Sequence, residues 1–193
     1  MKSLLRFLAK TKASWLRLAS LCLLLSYLFI LGTSPALAGI DDDHFEGNVF
    51  VLYGGNASLV PPKVKLEASL QRDKPTLLIF YVDDSSDCKR FATVVTRLQA
   101  FYGRVVDFIP VDVDTLLPDA NYTPTEAGYY YQGGVPQLVV FDQSGKVVLN
   151  DQGQVPFERV DDTMRKLFDL LPRSESVELK RRSINEFNTE LAE

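Results

Sequence analysis

The chain has 193 residues, 46% apolar and 24% charged, which suits one domain with a real core and excludes a long disordered, repetitive or low-complexity protein. Acidic residues outnumber basic ones, 25 to 21. That balance argues against nucleic-acid binding, because phosphate contacts need Lys and Arg.

Residues 1–38 differ from the rest. Lys2, Arg6, Lys10, Lys12 and Arg17 come with no acid, and "LASLCLLLSYLFILG" and "SPALA" follow. This is a basic region, an apolar region and a small-residue site, Ala36-Leu37-Ala38, so residues 1–38 read as a signal peptide cleaved after Ala38. The alternative is an uncleaved membrane anchor, since residues 18–38 supply about the 20 residues that a span needs. Either way the remainder is expected to cross the membrane. Without this segment 16 basic residues face 25 acidic ones, a net charge of −9.

Residues 39–48, "GIDDDHFEGN", read as a flexible acidic linker. His44 is the only histidine, so an acidic site there would lack a second imidazole and no metal site is expected. Val49 to Tyr53 is a strand candidate, followed by Gly-Gly and Pro-Pro punctuation. Residues 63–72 read as a short helix. "KPTLLIFYV" (74–82) is a continuous apolar run, as in a central strand buried on both faces. In residues 85–103, Phe91, Val94, Val95, Leu98, Phe101 and Tyr102 recur at helical spacing up to Gly103. "RVVDFIPVDVD" (104–114) is a second strand. A loop follows, with a short helix near 125–132. Residues 137–142 and 146–150 form a hairpin around "QSG". Pro156 opens and Pro172 stops a last helix. Residues 173–193 are a polar tail. The order from residue 49, β-α-β-α-β-α-β-β-α, describes an α/β fold with a central mixed β-sheet flanked by helices.

Cys22 lies in the apolar segment, so the exported part carries Cys88 alone and can form no internal disulfide. It has no CxxC and no zinc-ligand spacing. "DSSD" (84–87) supplies an N-cap, Asp84 or Ser85, and an acid in the first helical turn. On the plain reading this is a cap and Cys88 is a small buried apolar residue.

Two stretches carry a family resemblance. "IFYVDDSSDCK" lies without a gap on the thioredoxin pattern F-Y-A-P-W-C-G-P-C-K. Ser85 stands at the first cysteine and Cys88 at the second. "GGVPQLVVFDQSGKVV" resembles the family's G-V-P-T strand and hairpin, which makes Pro136 the cis-proline facing the redox site. The resemblance spans about Val49 to Leu171 and implies a thioredoxin-like domain over residues 49–172. The departures matter as much. Dithiol exchange needs a low-pKa attacking thiolate and a resolving thiol, and Ser85 can be neither. The family's buried acid six residues ahead of the first cysteine is replaced by Ile79. Asp83, Asp84 and Asp87 are expected to raise the Cys88 pKa. No catalytic residue is therefore assigned, with Cys88 as the one candidate thiol, and no cofactor is expected.

The resemblance places partner binding at Ser85, Ser86, Val135 and Pro136, with Tyr130 and Tyr131 of "GYYYQGGVP" beside them, a residue type favoured at protein interfaces. The segment from Leu77 to Asp114 further resembles the cyanobacterial thylakoid thioredoxin-like proteins that serve as photosystem I accumulation factors. That implies an exported, non-catalytic protein at the thylakoid membrane on its lumenal side, or free in the lumen or periplasm if cleaved. Its partners would be photosystem I subunits or assembly factors. Two alternatives stay open: a monothiol redox protein acting through Cys88 on partner thiols, and a structural module with no thiol role.

Overall fold

The computed structural model describes residues 15, 18–28, 39–118 and 121–176. Residues 18–28 are helical, and the chain divides into two compact units, Met1–Ala38 and Gly39–Glu193. Among the described residues no helix is long and apolar enough to cross a membrane. The expected signal or anchor segment and the polar tail beyond Ser176 lie largely outside the described residues.

From Gly39 on, the elements are α1 (Val49–Leu52), α2 (Leu66–Leu70), β1 (Thr76–Tyr81), α3 (Ser86–Tyr102), β2 (Asp107–Asp112), β3 (Gln137–Phe141), β4 (Val147–Gln152) and α4 (Phe157–Leu167). A 3₁₀ turn at Ala127–Tyr130 falls where the sequence predicts a short helix. The sheet order is β2-β1-β3-β4, with β1 and β2 parallel and the other pairs antiparallel. The mixed α/β fold expected from the element order is therefore present. β1 is buried along its whole length, as an apolar run without alternation requires of a strand covered on both faces.

One element differs. Val49–Leu52 is a helical turn, where the sequence predicts a strand. Its donors are met from elsewhere: Asn48 Oδ1 accepts the Phe50 N–H at 3.1 Å and Asp83 Oδ1 accepts the Val49 N–H at 2.8 Å. Such a cap satisfies the orphan donors of a helix start. Val49 and Phe50 point into the core, Phe50 edge-on to Tyr81 at 4.8 Å. A short apolar run fits strand and buried turn equally, and the long-range contacts decide. In consequence the sheet has four strands and β2 forms an edge. The one parallel pair of the sheet is β1 with β2.

Each sheet face carries its own apolar cluster. On one face α1, α3 and α4 contribute Phe50, Phe91, Val95, Leu98, Val160 and Met164, packed on Leu77, Ile79, Leu138 and Val140. On the other, Leu66 of α2 meets Leu78, Phe80, Ile109, Val139 and Phe141. Each large side chain so buried contributes about 1.5–3 kcal/mol.

Candidate functional site

The site begins where β1 ends. Residues 82–85 lead from the buried strand into α3, and Ser85 leaves the helical region (φ −95°, ψ 124°) to act as N-cap. Its Oγ accepts the Cys88 backbone N–H at 3.3 Å. Of the two N-cap candidates, Ser85 fills the role. Asp87 sits in the first turn, where a carboxylate favours the positive end of the helix dipole. Cys88 lies one turn in, 2% exposed. Its thiol pKa is raised above the ordinary value, first by burial and then by the Asp87 and Asp83 charges, against hydrogen bonds from the Val82 backbone and Ser85. The expected direction holds, but desolvation leads and the carboxylates follow. Ile79, at the position of the family's buried acid, is fully enclosed in the core.

The second half of the site is the turn before β3. The Val135–Pro136 bond is cis, as the resemblance implies. Phe80 pairs with Gln137, so continuing that register sets Pro136 beside Tyr81. The Pro136 carbonyl accepts the Gly153 N–H at 2.8 Å, and the next residue, Gln154, donates from Nε2 to the Asp87 carbonyl at 2.7 Å. Consecutive residues of one loop thus tie the proline turn to the first turn of α3. Pro136 is buried, whereas Ser85, Ser86 and Val135 are half-buried. The last three are partly exposed.

The tyrosines divide by role. Tyr130 stands edge-on to Phe141 at 4.8 Å and its hydroxyl donates to the Pro124 carbonyl at 2.8 Å. Tyr131 packs on Phe80 at 5.3 Å. Both are half-buried supports of the loop. Tyr129, the first of the three tyrosines in that run, is 54% exposed. The buried Gln137 fixes the loop to the sheet: its Nε2 donates to the Tyr130 carbonyl at 2.7 Å and to Asn150 Oδ1 at 2.9 Å, and its Oε1 accepts the Gln132 N–H at 2.9 Å.

The acidic segment 39–48, which reads in the sequence as a flexible linker, is held against α3. Lys89, fully buried, donates to the Gly39 carbonyl (3.0 Å), the Asp42 carbonyl (3.0 Å) and Asp42 Oδ1 (2.9 Å), with Glu46 Oε2 at 3.7 Å. Asp43 Oδ1 accepts the Ser86 N–H at 2.8 Å, and Arg90 Nη1 donates to Asp41 at 2.7 Å. Ser86 therefore presents its backbone to this arm and not to solvent. Sequence reasoning missed Lys89; the signal that could have found it is the pairing of an acidic run with the adjacent cations Lys89 and Arg90. Among the described residues no cluster of His, Cys, Asp and Glu could hold a metal ion. A groove of 670 Å³ between Pro61–Glu67, β2 and Thr125–Ala127 includes none of Ser85, Cys88 or Pro136.

A strand-loop-helix with a capping residue and a thiol one turn on, facing a cis-proline turn, defines a thioredoxin-like domain whose first redox position is a serine. The family model for the thioredoxin-like domain matches residues 62–168, and the chain belongs to that family. It is 50% identical over 184 residues, 91% of this chain and 92% of the other, to the "Thylakoid membrane protein slr1796" of Synechocystis sp.. It is 27% identical over 104 residues, 54% of this chain and 55% of the other, to the "Thiol:disulfide interchange protein TxlA homolog" of the same organism. Among solved structures, a mutant thioredoxin from Halobacterium salinarum is 24% identical, covering 53% of this chain and 83% of that one, with a TM-score of 0.41.

Proposed function

We propose that this is an exported, non-catalytic thioredoxin-like protein of the thylakoid membrane, facing the lumen, which supports accumulation of a membrane complex, photosystem I. Its partners are subunits of that complex or their assembly factors. The observation that carries the non-catalytic reading is the Ser85–Cys88 pair. The residue in the attacking position is a hydroxyl bonded to the Cys88 N–H, and the Cys88 thiol is buried. A hydroxyl cannot enter disulfide exchange, and an enclosed, protonated thiol is a poor nucleophile. What the fold retains is the surface: the half-buried Ser85, Ser86 and Val135, and the exposed Tyr129 of the loop that leads to Pro136. An exposed aromatic beside a rigid turn suits recognition of a partner chain. The thylakoid assignment is supported by the half-identical relative named as a thylakoid membrane protein. The monothiol alternative needs Cys88 accessible, and its 2% exposure stands against that.

The test is the amount of photosystem I in a deletion strain of the source organism. The expected result is a clear drop that the wild-type gene restores. An unchanged photosystem I level would remove the assigned role and leave only the fold.

A further inference from the structure

The second folded unit begins at Gly39, and that residue is unusually well held. Its backbone N–H donates to Glu46 Oε1 at 2.9 Å, and its carbonyl accepts from Lys89 Nζ at 3.0 Å. The Asp42 carboxylate lies against its Cα so closely that a Cβ would come within 2.2 Å of Asp42 Oδ2. The same Asp42 carboxylate holds Lys89 at 2.9 Å. Glu46 Oε2 accepts the Tyr53 hydroxyl and stands 3.7 Å from Lys89. Gly39 thus sits against two carboxylates, Glu46 at its N–H and Asp42 at its Cα.

Two carboxylates gather around Gly39 and Lys89. Lys89, fully buried, faces two carboxylates: Asp42, with a side chain 41% exposed, and Glu46, 16% exposed. The sequence just before Gly39 is Ala36-Leu37-Ala38, the small-residue pattern of a processing peptidase. Hydrolysis of the bond preceding Gly39 adds one water. The C–N bond breaks, a carboxylate forms on Ala38, and the amine freed on Gly39 takes up a proton.

We infer that Gly39 is the mature N-terminus and that its new ammonium is seated in a socket formed by Glu46 and Asp42, where it ion-pairs with the Glu46 carboxylate that already accepts the Gly39 N–H. Where the amide offers one proton, the ammonium offers three, enough for both carboxylates. An ordinary α-amine, with a pKa of about 7.7–8.0, is already mostly protonated at neutral pH. Processing then does two things: it releases the domain and it locks the acidic arm onto α3.

The inference rests on the export reading of residues 1–38, and its test separates the two. The protein is expressed in full in its source organism, purified, and examined by intact mass and N-terminal sequencing. The expected first residue is Gly39; retention of Met1, or a start elsewhere, overturns both the cleavage and the socket. Glu46→Gln is then compared in the processed form and in an Ala38→Leu form verified by mass to be uncleaved. The expected loss of Tm is larger in the processed form, because only there does Glu46 face an ammonium. Equal losses would overturn the socket and leave the cleavage standing. If Glu46→Gln does not fold, the Gly39 amine of the processed wild type is titrated by NMR. A value above the ordinary α-amine range supports the socket, and an ordinary value overturns it.

Discussion

Ser85 Oγ accepts the backbone N–H of Cys88 at 3.3 Å. A position that carries the attacking thiol in thioredoxins here serves as a helix cap, and the thiol three residues on is enclosed behind it. The same local geometry, a strand end turning into a helix, is kept while the chemistry it presents has changed.

The thiol should accordingly be slow. With Cys88 2% exposed, reaction with a disulfide reagent at neutral pH requires local opening, which for an opening cost of about 3 kcal/mol slows it on the order of a hundredfold relative to the unfolded chain. Stopped-flow thiol titration of native and denatured protein measures the ratio. Burial raises the Cys88 pKa above the ordinary 9.0. Its contribution to stability is therefore complete below the ordinary value and is lost as pH rises through the higher folded one. Denaturant unfolding at stepwise alkaline pH should show that decline, and Cys88→Ala should flatten it at a cost of about 1 kcal/mol at neutral pH.

How much is legible in the sequence depends on whether the deciding contact is local. β1 is legible because six consecutive buried residues, Thr76–Tyr81, leave an apolar run that only a covered strand explains. α3 is legible because Phe91, Val95 and Leu98 repeat at helical spacing and go to the core. The Ser85 cap is legible in the run 84–87, and the cis Pro136 only through the family resemblance. Val49–Leu52 reads wrongly as a strand because its helical turn is set by Asp83, 34 residues away in sequence. The arm misleads for the same reason. A run of acids looks solvated until a cation 47 residues on, Lys89, is brought against it. Tyr129 cannot be told from Tyr130 and Tyr131 without the sheet that covers the other two.

Lys89 should matter more than a surface lysine. Its hydrogen-bond acceptors, on Gly39 and Asp42, belong to the arm. Lys89→Met leaves Asp42 and Glu46 unmatched and frees the arm, with an expected loss of about 2–4 kcal/mol. Limited proteolysis should then cut within 39–48, where the wild type resists. The Asp42 pKa is lowered, chiefly by its Lys89 hydrogen bond. Its share of the latch is thus present above the ordinary 3.8 and is lost as pH falls through the lower folded value. Wild-type protease resistance should persist in mild acid.

A second charge cluster anchors α4. Asp161, with a side chain 6% exposed, accepts from the Tyr102 hydroxyl and from Arg165 Nε at 2.8 Å, with Arg173 at 3.0 Å. Asp161→Ala strands a half-buried guanidinium and a tyrosine hydroxyl, and should cost about 3 kcal/mol. Tyr102→Phe removes one bond and should cost about 1–2 kcal/mol. Urea denaturation of the two variants and their double mutant checks both values and their coupling.

The tyrosine loop should separate binding from folding. Tyr129→Ser removes an exposed ring and should leave Tm unchanged while weakening partner capture in membranes by about tenfold. Tyr131→Ala removes a ring packed on Phe80 and should cost about 2–3 kcal/mol. Crosslinking from position 129, quantified against the folded fraction, distinguishes the two effects.

If the protein acts by binding through a thioredoxin-like surface without thiol chemistry, its thiol is dispensable in the cell. Photosystem I content in the deletion strain, complemented with wild type or with Cys88→Ala at matched protein abundance, decides this. Equal restoration by both is expected from a binding protein. Restoration by wild type alone, with the variant folded and equally abundant, would contradict that role and assign Cys88 a part in the chemistry.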